Sequence, residues 1–126
     1  MNQGRWKDTQ IISEKFVHEA TRNQVPENIP PDLKHSQANK LAMNQHAPGR
    51  YGFNWWVNGL DQHRSRSMPD TPPKTFYANG LKNNMCFVVP EWNLVLVRLG
   101  TGREQPASKQ VTYNDVFREL AKGIDP

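Results

Sequence analysis

Phe76-Tyr77-Ala78-Asn79-Gly80-Leu81-Lys82-Asn83-Asn84-Met85-Cys86-Phe87-Val88-Val89-Pro90-Glu91-Trp92-Asn93-Leu94-Val95-Leu96-Val97-Arg98-Leu99-Gly100 is the stretch whose reading decides the fold. Two apolar runs, Met85–Val89 and Leu94–Leu99, flank Pro90-Glu91-Trp92-Asn93, and a polar Asn/Gly segment leads into the first. Both runs are of strand length and dominated by β-branched and aromatic residues, which favours strand over helix. Pro90 presets the second position of a turn that begins at Val89, and Asn93 suits its exit. The stretch therefore reads as a β-hairpin. Arg98 is the only charge in either run. A strand pair with so little alternation is usually covered on both faces, so helices must come from elsewhere in the chain.

Two segments can supply them. Ser13 is a candidate N-cap, with Ile12 and Val17 at the positions of a hydrophobic staple. Ile12, Phe16, Val17 and Ala20 then share one side at helical spacing, and the helix ends by about Asn23, ahead of Val25-Pro26. Near the other end, Thr112 and Asp115 have capping-box spacing, and Val116, Phe117, Leu120, Ala121 and Ile124 form a helical stripe that Gly123 stops. This second amphipathic helix is the expected cover for one face of the hairpin.

Upstream of the hairpin, Tyr51, Phe53, Trp55 and Val57 alternate with Gly52, Asn54, Trp56 and Asn58, which predicts a strand, and Asn58-Gly59 reads as a turn. Residues 26–50 carry Pro26, Pro30, Pro31 and Pro48 and read as a long surface excursion, with a weak helical piece over Ser36–Asn44. Leu60–Thr75, with Pro69, Pro72 and Pro73, is a second polar insert. The order helix, loop, strand, loop, strand, strand, helix fits α+β or α/β layers. Three mostly apolar strands leave an edge exposed, which points to a missing neighbour.

The chain has 126 residues, enough for one domain, which would bury roughly two thirds of its unfolded surface. Only 36% of residues are hydrophobic and the mean hydropathy is −0.83, so the core is small for the length. The net charge of +4 and pI near 9.4 come from scattered basic residues. Their densest group, His63-Arg64-Ser65-Arg66, has no aromatic interleaving, so a solvated surface accounts for the charge and no nucleic-acid partner is expected. Cys86 is the single cysteine, which excludes an intrachain disulfide and a cysteine-based metal site and reads as a small buried hydrophobe. No stretch approaches the ~18 apolar residues of a membrane-spanning helix, and the N-terminal residues lack a signal-peptide pattern, which leaves the compartment open.

A serine nucleophile needs a base within reach and donors for the developing oxyanion. None of Ser13, Ser36, Ser65, Ser67 and Ser108 is followed three residues later by lysine or sits in a Gly-x-Ser-x-Gly elbow. His18, His35, His46 and His63 lie in separate segments without metal-ligand spacing, so neither a metal nor another cofactor is expected. Glu91 sits in a turn and Asp115 has a capping role, which leaves paired acid/base work unsupported. The exception is Tyr77–Asn84, where Gly80 would admit a ligand close to the backbone, beside N–H donors and the amides of Asn79, Asn83 and Asn84. The alternative is a polar lead-in to a strand that binds nothing.

At these residues the sequence resembles a family. Tyr51-Gly52-Phe53-Asn54-Trp55-Trp56-Val57-Asn58-Gly59, then Phe76-Tyr77-Ala78-Asn79-Gly80, then Phe87 to Gly100 resemble the C-terminal part of the β-lactamase-like serine hydrolases: class C β-lactamases, penicillin-binding proteins, family VIII esterases and 6-aminohexanoate-dimer hydrolases. Gly4-Arg5-Trp6 through Ile12-Ser13 to Ala20-Thr21 is similar to the helix upstream of that family's aromatic strand. The resemblance covers nearly the whole chain and about the last third of a family member. It implies an α+β, β-lactamase/transpeptidase-like fold in part: antiparallel strands flanked by an upstream helix and a C-terminal helix, with residues 1–126 as the C-terminal segment of a hydrolase domain. The family's Ser-x-x-Lys nucleophile motif belongs to a portion upstream of the match, so the expected partners are that missing N-terminal portion and, in the complete enzyme, a small ester or amide substrate. Family members are often periplasmic or exported. Lys74-Thr75 is followed by Phe76 where the family's Lys-Thr-Gly has glycine, and that role is not carried over. The dimer-hydrolase-like variant, glycine followed by an apolar residue whose N–H completes the oxyanion hole, fits Gly80-Leu81. The resemblance thus implies Leu81 N–H as an oxyanion donor and Asn79, Gly80, Leu81, Asn83 and Asn84 as substrate-binding residues. Asn83-Asn84 stands in place of the Gly-Gln of many relatives. The alternative class is a non-enzymatic module that binds a partner through the exposed sheet edge.

Overall fold

The computed structural model of the protein describes residues 2–28, 48–100 and 111–124. The weak helix read over 36–44 lies outside them. The described residues form a mixed α+β fold with two antiparallel sheets and two helices. In chain order the elements are β1 (Arg5–Trp6), β2 (Thr9–Gln10), α1 (Glu14–Thr21), β3 (Trp56–Val57), β4 (Phe76–Gly80), β5 (Asn84–Val89), β6 (Leu94–Arg98) and α2 (Tyr113–Ala121). β1 and β2 form a small hairpin of their own, and the main sheet runs β3-β4-β5-β6.

The expected hairpin is β5–β6, paired from Val89↔Leu94 to Met85↔Arg98. Pro90–Trp92 form a 3-10 turn, and Asn93 leaves it in the left-handed region at φ 48°. The Asn/Gly lead-in, in contrast, is a strand. β4 pairs with β5 from Phe76↔Val88 to Gly80↔Asn84, so the β4–β5 hairpin closes over a tip of three residues, Leu81–Asn83.

Because side chains alternate across a strand, the register sorts the sheet into two faces. One carries the row Trp56, Tyr77, Phe87, Leu96 together with Asn79, Met85 and Arg98. The other carries Val57, Phe76, Val88, Val95 and then Ala78, Cys86, Val97. The helix α2 covers the first face. Thr112 and Asp115 form the expected capping box, and Phe117, fully buried, sets its ring edge-on to Phe87 at 5.1 Å. Met68, Met85 and Val89 complete that core.

The second face is a correction to the expectation of cover on both sides. Val57, Phe76 and Val88 are buried beneath Trp55, but Val95 and Val97 are 51% and 54% exposed and Cys86 is half-buried. The apolar runs remain unalternating because the second face is apolar whether or not a described residue covers it. Likewise α1, capped by Ser13 as read, buries only Ala20; Ile12 and Phe16 stay exposed.

Tyr51–Val57 is not one strand. Gly52 N–H donates to Trp55 O and Asn54 is left-handed at φ 58°, so the chain reverses and Tyr51 bridges back to Trp56. Their rings meet edge-on at 4.6 Å. Asn58-Gly59 is not a hairpin turn either. Asn58 is fully buried, with Nδ2 donating to Met68 O and Thr71 Oγ1 while Oδ1 accepts Met68 N–H. It is the anchor of the 60–75 insert, which has no regular structure of its own.

Candidate functional site

The five residues assigned by resemblance all lie at the free end of the β4–β5 hairpin. Asn79 and Gly80 end β4, Leu81 opens the tip, and Asn83 and Asn84 close it. The tip is unusual backbone: Lys82 and Asn83 are consecutive left-handed residues, at φ 59° and 62°. Asparagine tolerates that region through its short polar side chain, whereas lysine rarely enters it.

Hydrogen bonds hold the tip. Asn84 N–H and Asn84 Nδ2 both donate to Leu81 O, the latter at 2.9 Å. Asn84 Oδ1 accepts Gly100 N–H at 2.9 Å, tying the tip to the end of β6. Arg98 Nη1 donates to Asn83 O at 2.6 Å, and Tyr113 O–H donates to Asn83 Oδ1 at 2.9 Å. The side-chain oxygens of Asn83 and Asn84 are thus committed within the chain. Leu81 has no such commitment on its side chain, which is 84% exposed.

Two residues that complete this arrangement, Arg98 and Tyr113, were not assigned from sequence. Arg98 had a signal, as the only charge in two apolar runs. Tyr113 had none, because the first residue of a capped helix is unremarkable in one dimension. Its ring packs against Phe87 at 4.8 Å. Partial burial pushes its phenol pKa up, against the opposing influence of Arg98 and the Asn83 hydrogen bond.

A second polar cluster lies near β3. The Arg50 guanidinium, 6% exposed in its side chain, pairs with Asp61 Oδ2 at 2.8 Å and donates to Ser65 O at 3.0 Å. Asp61 Oδ1 accepts the backbone N–H groups of His63 and Ser65, and these bonds, that of Ser65 foremost, hold its pKa below the ordinary carboxylate value. Tyr77 is raised by burial. Lys74 and Thr75 take no shared role: Lys74 N–H donates to Glu91 Oε1, and Thr75 is fully buried.

Among the described residues no group of three or more His, Cys, Asp or Glu is placed to hold a metal ion, and no helix is long and apolar enough to cross a membrane. At the tip, an exposed apolar side chain, Leu81, stands on a turn closed by the Asn84 N–H to Leu81 O bond.

No family model matches the chain, and neither a curated protein nor a solved structure matches it.

Proposed function

We propose that the chain is the C-terminal part of a β-lactamase-like serine hydrolase acting on an ester or amide. It supplies sheet scaffold and one wall of an active site whose nucleophile lies in another portion, and it is inactive alone. One observation carries the reading: the sheet is covered by α2 on one face, yet leaves Val95 and Val97 exposed on the other and β6 at an edge among the described residues. An apolar sheet face and an unpaired edge are what a missing portion of the same domain would cover. The Leu81 N–H, on the fixed tip, is the candidate oxyanion donor, and Asn79, Gly80, Asn83 and Asn84 shape the wall around it.

Two measurements test this. Nitrocefin and p-nitrophenyl ester hydrolysis by the purified chain is expected at the catalyst-free rate; turnover well above it refutes inactivity alone. The coding DNA upstream is expected to specify a Ser-x-x-Lys motif, in frame or shifted, and its absence removes the hydrolase reading.

The same edge favours a second reading, a non-enzymatic module that adds a partner's strand to β6. Hydrogen exchange separates either reading from a self-sufficient fold: a monomer with fully protected β6 amides has no need of a neighbour.

A further inference from the structure

We propose that Tyr113 and Arg98 are positioning residues for the β4–β5 tip: acting from α2 and from the end of β6, they lock Leu81–Asn83 in its left-handed turn. Seating the C-terminal helix and shaping the tip are then one event. What the tip is for rests on the hydrolase reading; the clamp itself does not.

The argument starts from the backbone. Two consecutive residues with φ near 60° are the backbone of a tight hairpin turn, which asparagine enters readily but lysine only at a cost, and such a conformation persists where its surroundings over-determine it. Packing does not supply that constraint, because Leu81, Lys82 and Asn83 are all exposed. Hydrogen bonds do, and three of them come from 15 to 30 residues away: Arg98 to Asn83 O, Gly100 to Asn84 Oδ1, and Tyr113 to Asn83 Oδ1. Tyr113 is well placed to impose a position. It opens a helix fixed by the Thr112–Asp115 capping box, and its ring rests on fully buried Phe87. Asn83 is held from both sides, by its main-chain oxygen to β6 and by its side-chain oxygen to α2.

The test reads amide hydrogen exchange by NMR on the full chain. Asn84 N–H, bonded to Leu81 O, and Gly100 N–H, bonded to Asn84 Oδ1, report the tip; Phe87 and Val88 report the sheet. Tyr113→Phe keeps the ring on Phe87 and removes only the O–H. It is expected to speed exchange at Asn84 and Gly100 roughly fivefold relative to Phe87 and Val88, the loss of about one hydrogen bond. Arg98→Met, acting on the other oxygen of Asn83, is expected to do the same. Adding Lys82→Gly to Tyr113→Phe is expected to restore exchange to within about twofold of the parent, because glycine enters the left-handed region without strain. Unchanged tip amides overturn the proposal. So does a uniform rise that includes Phe87 and Val88, which lost global stability explains, or a failure of glycine to rescue, which would mean that the left-handed backbone at Lys82 is not what these bonds hold. No turnover is read, so the clamp and the hydrolase reading fail on different observations.

Discussion

Phe117→Ala is the substitution that tests how the sheet is held. The Phe117 side chain is fully buried, edge-on to Phe87 at 5.1 Å and tilted against Trp92 at 6.3 Å, with Met68, Met85 and Val89 in the same core. Truncating a buried phenylalanine removes its transfer free energy and leaves a cavity, at a cost of about 3–5 kcal/mol. Each lost aromatic pair belongs to the same total, at about 0.5–1.5 kcal/mol. The upper part of the range is expected here, because Phe87 and Phe117 are both at 0% exposure and α2 has no other fully buried side chain to hold it. Urea unfolding followed by far-UV circular dichroism checks it. With a slope of about 1–2 kcal/mol per molar, the midpoint falls by roughly 2 M or more. Phe117→Leu keeps most of the volume and is expected to lose about 1–2 kcal/mol, which gives a measurable transition even if the alanine variant is unfolded at zero urea. Leu120→Ala, on a side chain 37% exposed, is expected to lose under about 1 kcal/mol. A Phe117→Ala loss no larger than that of Leu120→Ala would refute α2 as the cover of this face.

Asn58→Ala strips the 60–75 insert of its anchor and leaves Met68 N–H without its acceptor; the expected loss is about 3 kcal/mol, with the largest rise in amide exchange inside the insert. Arg50→Met leaves Asp61 without its cation and Ser65 O without its donor, and is expected to lower the midpoint in the same urea measurement. Asp61 and Asp115 both titrate below the ordinary aspartate value of 3.8, Asp61 through the N–H groups of Ser65 and His63 and then Arg50, Asp115 through the Thr112 hydroxyl and N–H and then Arg118. A depressed folded pKa stabilises the fold fully above the unfolded value and loses that contribution as pH falls through the folded one. Urea midpoints are therefore expected to be level above about pH 5 and to drop toward about pH 3, with a smaller drop in Asp61→Asn. Val95→Lys with Val97→Lys is expected to leave the unfolding free energy within about 0.5 kcal/mol while lowering the binding of an apolar-surface dye, since both side chains already meet solvent.

Local signals were legible wherever one residue acts on its near neighbours. Ser13 caps α1 by accepting Phe16 N–H, Thr112 and Asp115 cap α2, and Pro90 with Asn93 turns β5 into β6, each over at most four residues. The strand β4 was harder, because Phe76-Tyr77-Ala78-Asn79-Gly80 ends in residues that disfavour strands and becomes one through its partner β5. The reversal at Gly52–Trp55 was hidden by an alternation that holds equally well for two short arms folded on each other. At the site, the sequence located the polar segment Asn79–Asn84 but not its holders, since Arg98 and Tyr113 lie 15 and 30 residues from Asn83.

The sequence by itself determined two capped helices, a Pro-led hairpin of apolar strands, one cysteine without a partner, and the absence of a Ser-x-x-Lys motif from these 126 residues. Each follows from residue type and short spacing, which act before the chain has a shape. Only the tertiary structure decided that the lead-in is a strand, that Asn58 is an anchor rather than a turn, and that α2 covers one sheet face while Val95 and Val97 on the other meet solvent. It also decided that the Leu81–Asn83 tip is held from α2 and β6. Those outcomes depend on which side chains reach one another across the sheet, and register with packing, rather than spacing along the chain, sets that.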